Sequence, residues 1–266
     1  MIWGEHCVLA PKSFMKEHMQ KEIRWLLDEK YKGQRTAEAE KDIARLEKGE
    51  HADYVIGWVN FAGCKIDLSQ RPLIPRPETE YWVEKAIEEI KIVNNQQLII
   101  KVLDIFAGSG CVGVAVLQHV PNAAVDFAEK DKKLLKQIKI NADINDIDKK
   151  RYHILQSDIF SNVKGRYDYI LANPPYVAEA RKSRVQKSVL EQEPHNAVFG
   201  GADGLQYIQE FLSQAKKHLN PGGVVYLEFD SQQKARVIKL SKRAGATIAR
   251  AHKDQYNKWR YARIVF

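Results

Sequence analysis

The tetrapeptide Asn173-Pro174-Pro175-Tyr176 holds residue types suited to orienting a planar nitrogen for attack. Pro174 restricts Asn173 to an extended conformation, and the two prolines stiffen the turn. The Asn173 side-chain oxygen and the Pro174 carbonyl can then face one point as two acceptors. An NH₂ group on a planar carbon offers the two matching donors. Holding both N–H bonds aims the nitrogen's remaining electron density along the third direction, toward an electrophilic methyl. Such a nitrogen is a feeble nucleophile, so catalysis of this kind is mostly orientation. Tyr176 adds an aromatic wall for the planar group.

Upstream, DIFAGSGCVG sets Gly108, Gly110 and Gly113 at the GxGxxG spacing. Glycines let backbone approach a ligand where a Cβ would clash. Alone, the spelling fits a dinucleotide enzyme equally well. Glu129, 19 residues beyond Gly110, ends the next apolar run, where a carboxylate can accept both hydroxyl protons of a ribose. NAD and S-adenosylmethionine (SAM) both carry that ribose, so Glu129 does not separate them. The proline turn does: it has no use in hydride transfer, which points to SAM as cofactor and S-adenosyl-L-homocysteine as product. Asp158, in QSDIF, can accept from an adenine amino group, with Ile159 and Phe160 against the adenine face.

Such groups need rigid strand ends to carry them. Apolar runs at 99–106, 123–129, 152–157, 167–172, 223–229, 246–251 and 260–266 read as strands. Helical periodicity fills 111–119, 131–143, 204–219 and 231–244. Strands alternating with helices predict an α/β, Rossmann-like, seven-stranded and mostly parallel sheet with one antiparallel edge strand. Ligands in such folds gather beyond the carboxyl ends of the strands. Residues 13–48 show helical spacing, and Tyr54–Leu68 reads as a β-hairpin. Pro72, Pro75 and Pro77 forbid helix until Pro77, which opens one over about 78–91. The expected division is a small helical domain with its hairpin, 1–68, and a catalytic domain, 69–266.

With 266 residues, 44% hydrophobic and 29% charged, the composition excludes disordered, collagen-like and rod-like classes. No run approaches the roughly 18 apolar residues of a membrane span, and residues 1–13 lack the pattern of a secretory signal. Cys7, Cys64 and Cys111 form no CxxC pair, which suits a reducing cytoplasm. The 8 histidines show no metal-ligand spacing, so no metal is expected. Cys111 reads as a packing residue. The net charge of +8 is concentrated: residues 231–266 hold 10 Lys/Arg against 1 Asp/Glu. That segment either contacts RNA or a ribosome transiently or forms a solvated face. RKSRVQK, with Arg181, Lys182, Arg184 and Lys187, is a partner contact or a solvated lid; His195 is a candidate substrate contact.

Two further segments, LIPRPETE at 73–80 and EPHNAVFGGADGL at 193–205, flank the tetrapeptide. With it and the glycine loop they resemble the HemK/PrmC family of release factor N5-glutamine methyltransferases, over roughly Leu46 to Glu228, about two-thirds of the chain. The resemblance implies a class I SAM-dependent methyltransferase acting on the GGQ glutamine of peptide chain release factors, a monomer, with a helical N-terminal domain for substrate recognition. It implies that Phe106, Ala107, Gly108, Ser109 and Gly110 lie against the methionine end of SAM. Glu129 takes the ribose, and Asp158 with Ile159 lies near the adenine. Asn173, Pro174, Pro175 and Tyr176 hold the glutamine amide, Asn173 also facing the cofactor. Arg76 and Glu78 sit over the cofactor and close the site. Two departures stand out: Phe106 occupies a place where the family loop carries glycine, and the N-terminal domain is short. DIFAGSG is more at home in nucleic-acid methyltransferases, so an adenine N6-methyltransferase is the alternative, alongside a ribosomal-protein glutamine methyltransferase.

Overall fold

The computed structural model describes residues 12–93 and 98–266; Cys7 and the first eleven residues lie outside that range. Three helices open the chain, α1 (Lys12–Tyr31), α2 (Ala37–Glu47) and α3 (Ala52–Ile56). The helical stretch expected over 13–48 divides because Gly33 turns left-handed and Thr36 caps α2, its side chain accepting from the Ala39 N–H. Ile23, Leu26, Ile43, Leu46 and Val55 form a small core of their own.

The expected hairpin is shorter than 54–68. Tyr54 to Ile56 belong to α3, which His51 caps at its start and Gly57, at φ 94°, ends. The hairpin proper pairs β1 (Trp58–Phe61) with β2 (Cys64–Asp67). Ala62 and Gly63 both adopt positive φ, 47° and 75°, which matches the twist of a two-residue hairpin. The tip is bolted between two helices of the main domain, α4 (Pro77–Val93) and α5 (Cys111–His119). Ala62 N–H donates to Glu80 at 2.7 Å, and its carbonyl accepts from His119 Nε2 at 2.6 Å. Phe61, Cys64 and Ile66 accordingly share a core with Trp82, Val83 and Val114.

Seven strands form the main sheet: β3 (Ile100–Ile105), β4 (Ala123–Glu129), β5 (Tyr152–Gln156), β6 (Tyr167–Ala172), β7 (Leu219–Glu228), β8 (Ile248–Lys253) and β9 (Trp259–Val265). Their order is β5-β4-β3-β6-β7-β9-β8. The antiparallel strand is not at the edge as expected: β9 runs against β7 on one side and β8 on the other. Only residues 254–258 separate β8 from β9, too few for a crossover, so the pair must be antiparallel. Strand residues alternate between two cores. Val102, Val125 and Leu171 face the hairpin, α4 and α5. Helices α6 (Lys132–Ile144), α7 (Lys187–Gln192) and α8 (His195–Val198) precede α9 (Gln206–Ala215), which Leu103, Ala128 and Ala172 face, and α10 (Lys234–Arg243) places Val237 in the same layer. With both faces covered, the carboxyl ends of β3, β4, β5 and β6 are left to carry loops.

Candidate active site

The loop leaving β3 is held by hydrogen bonds to side chains of its own fold. Asp104 is buried at the strand end, and its Oδ2 accepts from the Gly113 N–H at 2.9 Å. Burial pushes its carboxyl well above the usual carboxylate range. At the end of β4, Glu129 accepts from Gly108 N–H and from Asp131 N–H, each at 2.8 Å. Burial raises its carboxyl too, against those backbone donors. From α6 (Lys132–Ile144), Asn141 donates to the Ser109 carbonyl at 2.8 Å and accepts from Asp67 N–H. One amide thus joins the glycine loop to the hairpin.

Backbone strain collects here. Phe106 has φ 61°, the left-handed region in which glycine is at ease, so its presence costs about 1 kcal/mol. Its ring packs on Tyr207 and Phe211, with centroids 6.3 and 6.2 Å away. Ile159, β-branched and buried, has φ 49°, held by the Ser157 hydroxyl donating to its carbonyl at 2.8 Å.

Beneath these loops lies a cleft of about 1110 Å³, its open mouth included. Phe106, Ala107, Gly108, Ser109, Glu129, Asp158, Ile159, Asn173, Pro175 and Arg76 line it. Asp158 is at the rim, half exposed and paired with Lys130 at 2.7 Å. Gly110 does not line the cleft: it precedes α5 at φ 77°, and a Cβ there would meet Ile138 at 3.1 Å. Glu78 lines neither the cleft nor its neighbour and is buried in the first turn of α4.

The neighbour is a hollow of about 400 Å³ lined by Asn173, Pro174, Tyr176, Val177, Val189, Val198 and Glu228. Leu73, Arg76, Asn173 and Ala197 line both spaces, so Asn173 stands at the passage between them. The Glu228 carboxylate, at the end of β7, is almost fully buried. Its Oε2 accepts from Thr79 Oγ1 and Trp82 Nε1, both at 2.7 Å, and its Oε1 from the Tyr176 hydroxyl at 2.8 Å. Burial, together with that carboxylate, pushes the Tyr176 phenol well above its usual value. Thr79 Oγ1 in turn accepts from Asn173 Nδ2 at 3.3 Å.

The two flanking segments meet over the passage. Arg76 makes an ion pair with Glu193, whose other oxygen accepts from Ile74 N–H at 3.2 Å. The glycines of VFGGADG let this loop pack on the proline turn itself: a Cβ at Gly200 would fall 2.4 Å from the Pro175 carbonyl, and one at Gly204 2.2 Å from that of Tyr176. His195 lines neither space; its Nε2 donates to the Leu190 carbonyl, and Asn196 and Ala197 reach the cleft instead. Arg181 is held by Asp230 at 2.9 Å. Cys111 is buried, with its thiol pushed up to about 12 by burial.

A family model described as the methyltransferase small domain matches residues 90–202. The release factor glutamine methyltransferase of Lactococcus lactis is 31% identical over 91% of this chain and 87% of the relative. That of Streptococcus pneumoniae is 32% identical over 84% and 79%. The chain belongs to the release factor glutamine methyltransferase family.

Solved structures agree on the fold. The human Mettl16 catalytic domain, solved with an RNA hairpin, superposes with a TM-score of 0.58 at 17% identity, covering 76% of this chain and 75% of that one. A ribosomal protein L11 methylase from Lactobacillus delbrueckii gives 0.52 at 17% identity over 74% and 81%. The architecture is that of the class I methyltransferases. Among the described residues, no helix is long and apolar enough to cross a membrane, and no cluster of three His, Cys, Asp or Glu is placed to hold a metal. Sequence reading passed over Thr79, Glu193, Glu228 and Asn141 as parts of this site. Thr79 and Glu193 lie inside the two family-like segments, which was their one available signal.

Proposed function

We propose that the chain transfers the methyl group of SAM to the side-chain amide nitrogen of a glutamine, the GGQ glutamine of a peptide chain release factor. The position of Asn173, lining both the large cleft and the smaller hollow, carries this reading. The names of the relatives supply the substrate class.

The residues present fit SAM. Each Glu129 oxygen accepts one backbone N–H and keeps lone pairs for ribose hydroxyls. Ile159, Leu134 and Ala128 give the cleft apolar walls for an adenine, and Asp158 stands at its rim. Phe106, Ala107, Gly108 and Ser109 would meet the methionine end. When bound, SAM supplies an electrophilic methyl on a sulfonium. The chain's own part is to hold the glutamine amide. Asn173 Oδ1 and the Pro174 carbonyl accept its two N–H bonds, and Tyr176 bounds the planar group. Arg76, tied to Glu193, lines both spaces and roofs the passage between them.

Residues 1–68 serve substrate recognition and 69–266 the chemistry, in a monomer working in the cytoplasm. Part of the basic segment is engaged within the chain. Arg236 pairs with Asp203, Arg260 with Asp254 and Arg263 with Glu89, while Lys239, Lys242, Arg243 and Arg250 are exposed and open to a transient contact with RNA.

Intact-mass analysis of a release factor after incubation with the protein and SAM tests the proposal. One added methyl, about 14 Da, on the GGQ peptide is the expected result. Label from tritiated SAM appearing only in ribosomal RNA or DNA would replace it with the adenine reading, and label only in a ribosomal protein with the third.

A further inference from the structure

An asparagine amide is useful as an acceptor only if its oxygen, not its NH₂, faces the substrate. The two ends are nearly equal in size, so something must choose between them. Resting on Asn173 as acceptor for the substrate amide, we propose that Glu228, acting through the Thr79 hydroxyl, fixes the Asn173 amide with its oxygen toward the passage. Thr79 and Glu228 are thereby positioning residues.

Donors and acceptors along this chain can be assigned one by one. Trp82 Nε1–H can only donate, and at 2.7 Å it holds Glu228 Oε2 in place. A threonine hydroxyl has one proton, and Thr79 gives it to the same oxygen at 2.7 Å. What Thr79 Oγ1 still offers is lone pairs alone. The group 3.3 Å away on Asn173 must therefore be the donor, Nδ2. Reversing the amide would set its oxygen against the lone pairs of the buried Thr79 hydroxyl, two acceptors facing each other with no proton between them. With Nδ2 committed to Thr79, Oδ1 is left for the substrate. The Tyr176 hydroxyl donates to the second oxygen of the same carboxylate at 2.8 Å, so one acid orients both ends of the tetrapeptide. Thr79 is in reach because Pro77 starts α4 two residues earlier and places the first turn against the end of β7.

Thr79→Val keeps the shape and removes the relay; Thr79→Ala provides a second replacement, and Thr79→Ser restores the hydroxyl. Single-turnover methylation of a release factor with tritiated SAM, calorimetry with S-adenosylhomocysteine and thermal melting are measured for each. The same changes are repeated in an Asn173→Ala background. Expected is about a tenfold fall in the methylation rate for Val and Ala, roughly one lost buried hydrogen bond. Cofactor affinity should be unchanged, and Ser should recover the rate to within about twofold. Without Asn173 the Thr79 changes should cost nothing more, since their effect passes through that amide. Equal losses in both backgrounds, or a wild-type rate for Thr79→Val beside an inactive Asn173→Ala, would overturn the relay and leave the proposed activity standing. Full turnover by Asn173→Ala would remove the proposed site itself, and the relay with it.

Discussion

Arg76 and Glu193 form an ion pair across 117 positions of sequence, and the Glu193 side chain is wholly enclosed. The pair joins the proline-rich approach to α4 with the loop that follows the proline turn. A buried pair contributes little net stability against a well-packed apolar substitute, but removing one partner strands a charge. Glu193→Ala should therefore lower stability by about 3 kcal/mol in urea denaturation and free the 73–76 segment, seen as faster amide exchange there. Arg76→Met with Glu193→Leu together should recover most of that stability and none of the activity. An unaltered exchange rate in Glu193→Ala would show that the pair does not hold the roof.

Glu129 gives a pH dependence. Its folded-state carboxyl is raised by burial, so as pH falls it protonates sooner than an ordinary glutamate. The ionised form is the one suited to accept two ribose hydroxyls. Affinity for S-adenosylhomocysteine should thus decline on acidification, beginning above the usual glutamate range. The ligand-free protein has the opposite sign for this group: an ionised, raised carboxyl destabilises the fold, and that penalty is relieved as it protonates. Glu129→Ala should weaken cofactor binding by about 1–3 kcal/mol and flatten the profile. Calorimetry from pH 8 to pH 5 checks both.

Gly113 makes no contact with the cleft, yet a Cβ there would lie 2.3 Å from the Phe127 ring and 2.9 Å from Val125. The third glycine of the loop is spent on seating α5 against β4. Gly113→Ala should cost about 1–3 kcal/mol by overpacking. Because Gly113 N–H also binds Asp104, cofactor affinity should fall with it. Gly108→Ala is the contrasting case: its nearest neighbour would be 3.9 Å away, and only its positive φ resists. Thermal melting should rank Gly113→Ala well below Gly108→Ala.

Glu50 links the helical part to the rest of the chain, accepting from Arg45 at 2.8 and 2.9 Å and from Arg71 at 2.8 Å. Hydrogen bonds from Arg45 above all, opposed by burial and reinforced by Arg71, hold its carboxyl down at about 2, against an ordinary 4.5. A depressed folded-state value contributes stability above the unfolded value that is lost as pH falls from about 4.5 toward 2. The loss should be on the order of 1–2 kcal/mol, and absent from Glu50→Gln, in urea midpoints followed across that window. Equal slopes for the two proteins would remove this contribution.

The exposed cations of α10 offer a salt test. Neutralising Arg236, Lys239, Lys242 and Arg243 together should leave turnover of a short GGQ peptide unchanged at any ionic strength. If the segment meets RNA or a ribosome, KM for the full-length release factor on ribosomes rises in the variant and its salt dependence weakens. Identical KM values would make these residues a solvated face.

Periodicity and turn chemistry carried much of this architecture. The seven strands and the helix opened by Pro77 follow from apolar runs and from what proline forbids. The inner place of β9 did not follow, since run lengths say nothing of which neighbour a strand chooses. Nor did the end of α3 at Gly57, because Tyr54–Ile56 are β-branched and aromatic, and a capped turn overrides that preference. At the site, chemistry-bearing residues at strand ends were readable as such. Thr79, Asn141 and Glu228 were not, for each acts by a hydrogen bond across a long stretch of sequence that no local pattern encodes. Phe106 was visible only as a departure; its left-handed φ supplies the physical reason a glycine suits that place.

β9 follows β8 in sequence yet lies inside it, against β7, with Tyr261 opposite Glu228. Every residue lining the two hollows precedes β9, the last of them being Glu228. During synthesis the ribosome therefore delivers the whole reaction chamber before it delivers the strand that seals the underside of its buried carboxylate. Until Trp259–Val265 emerge, the β7 edge beside that acid has no strand to pair with.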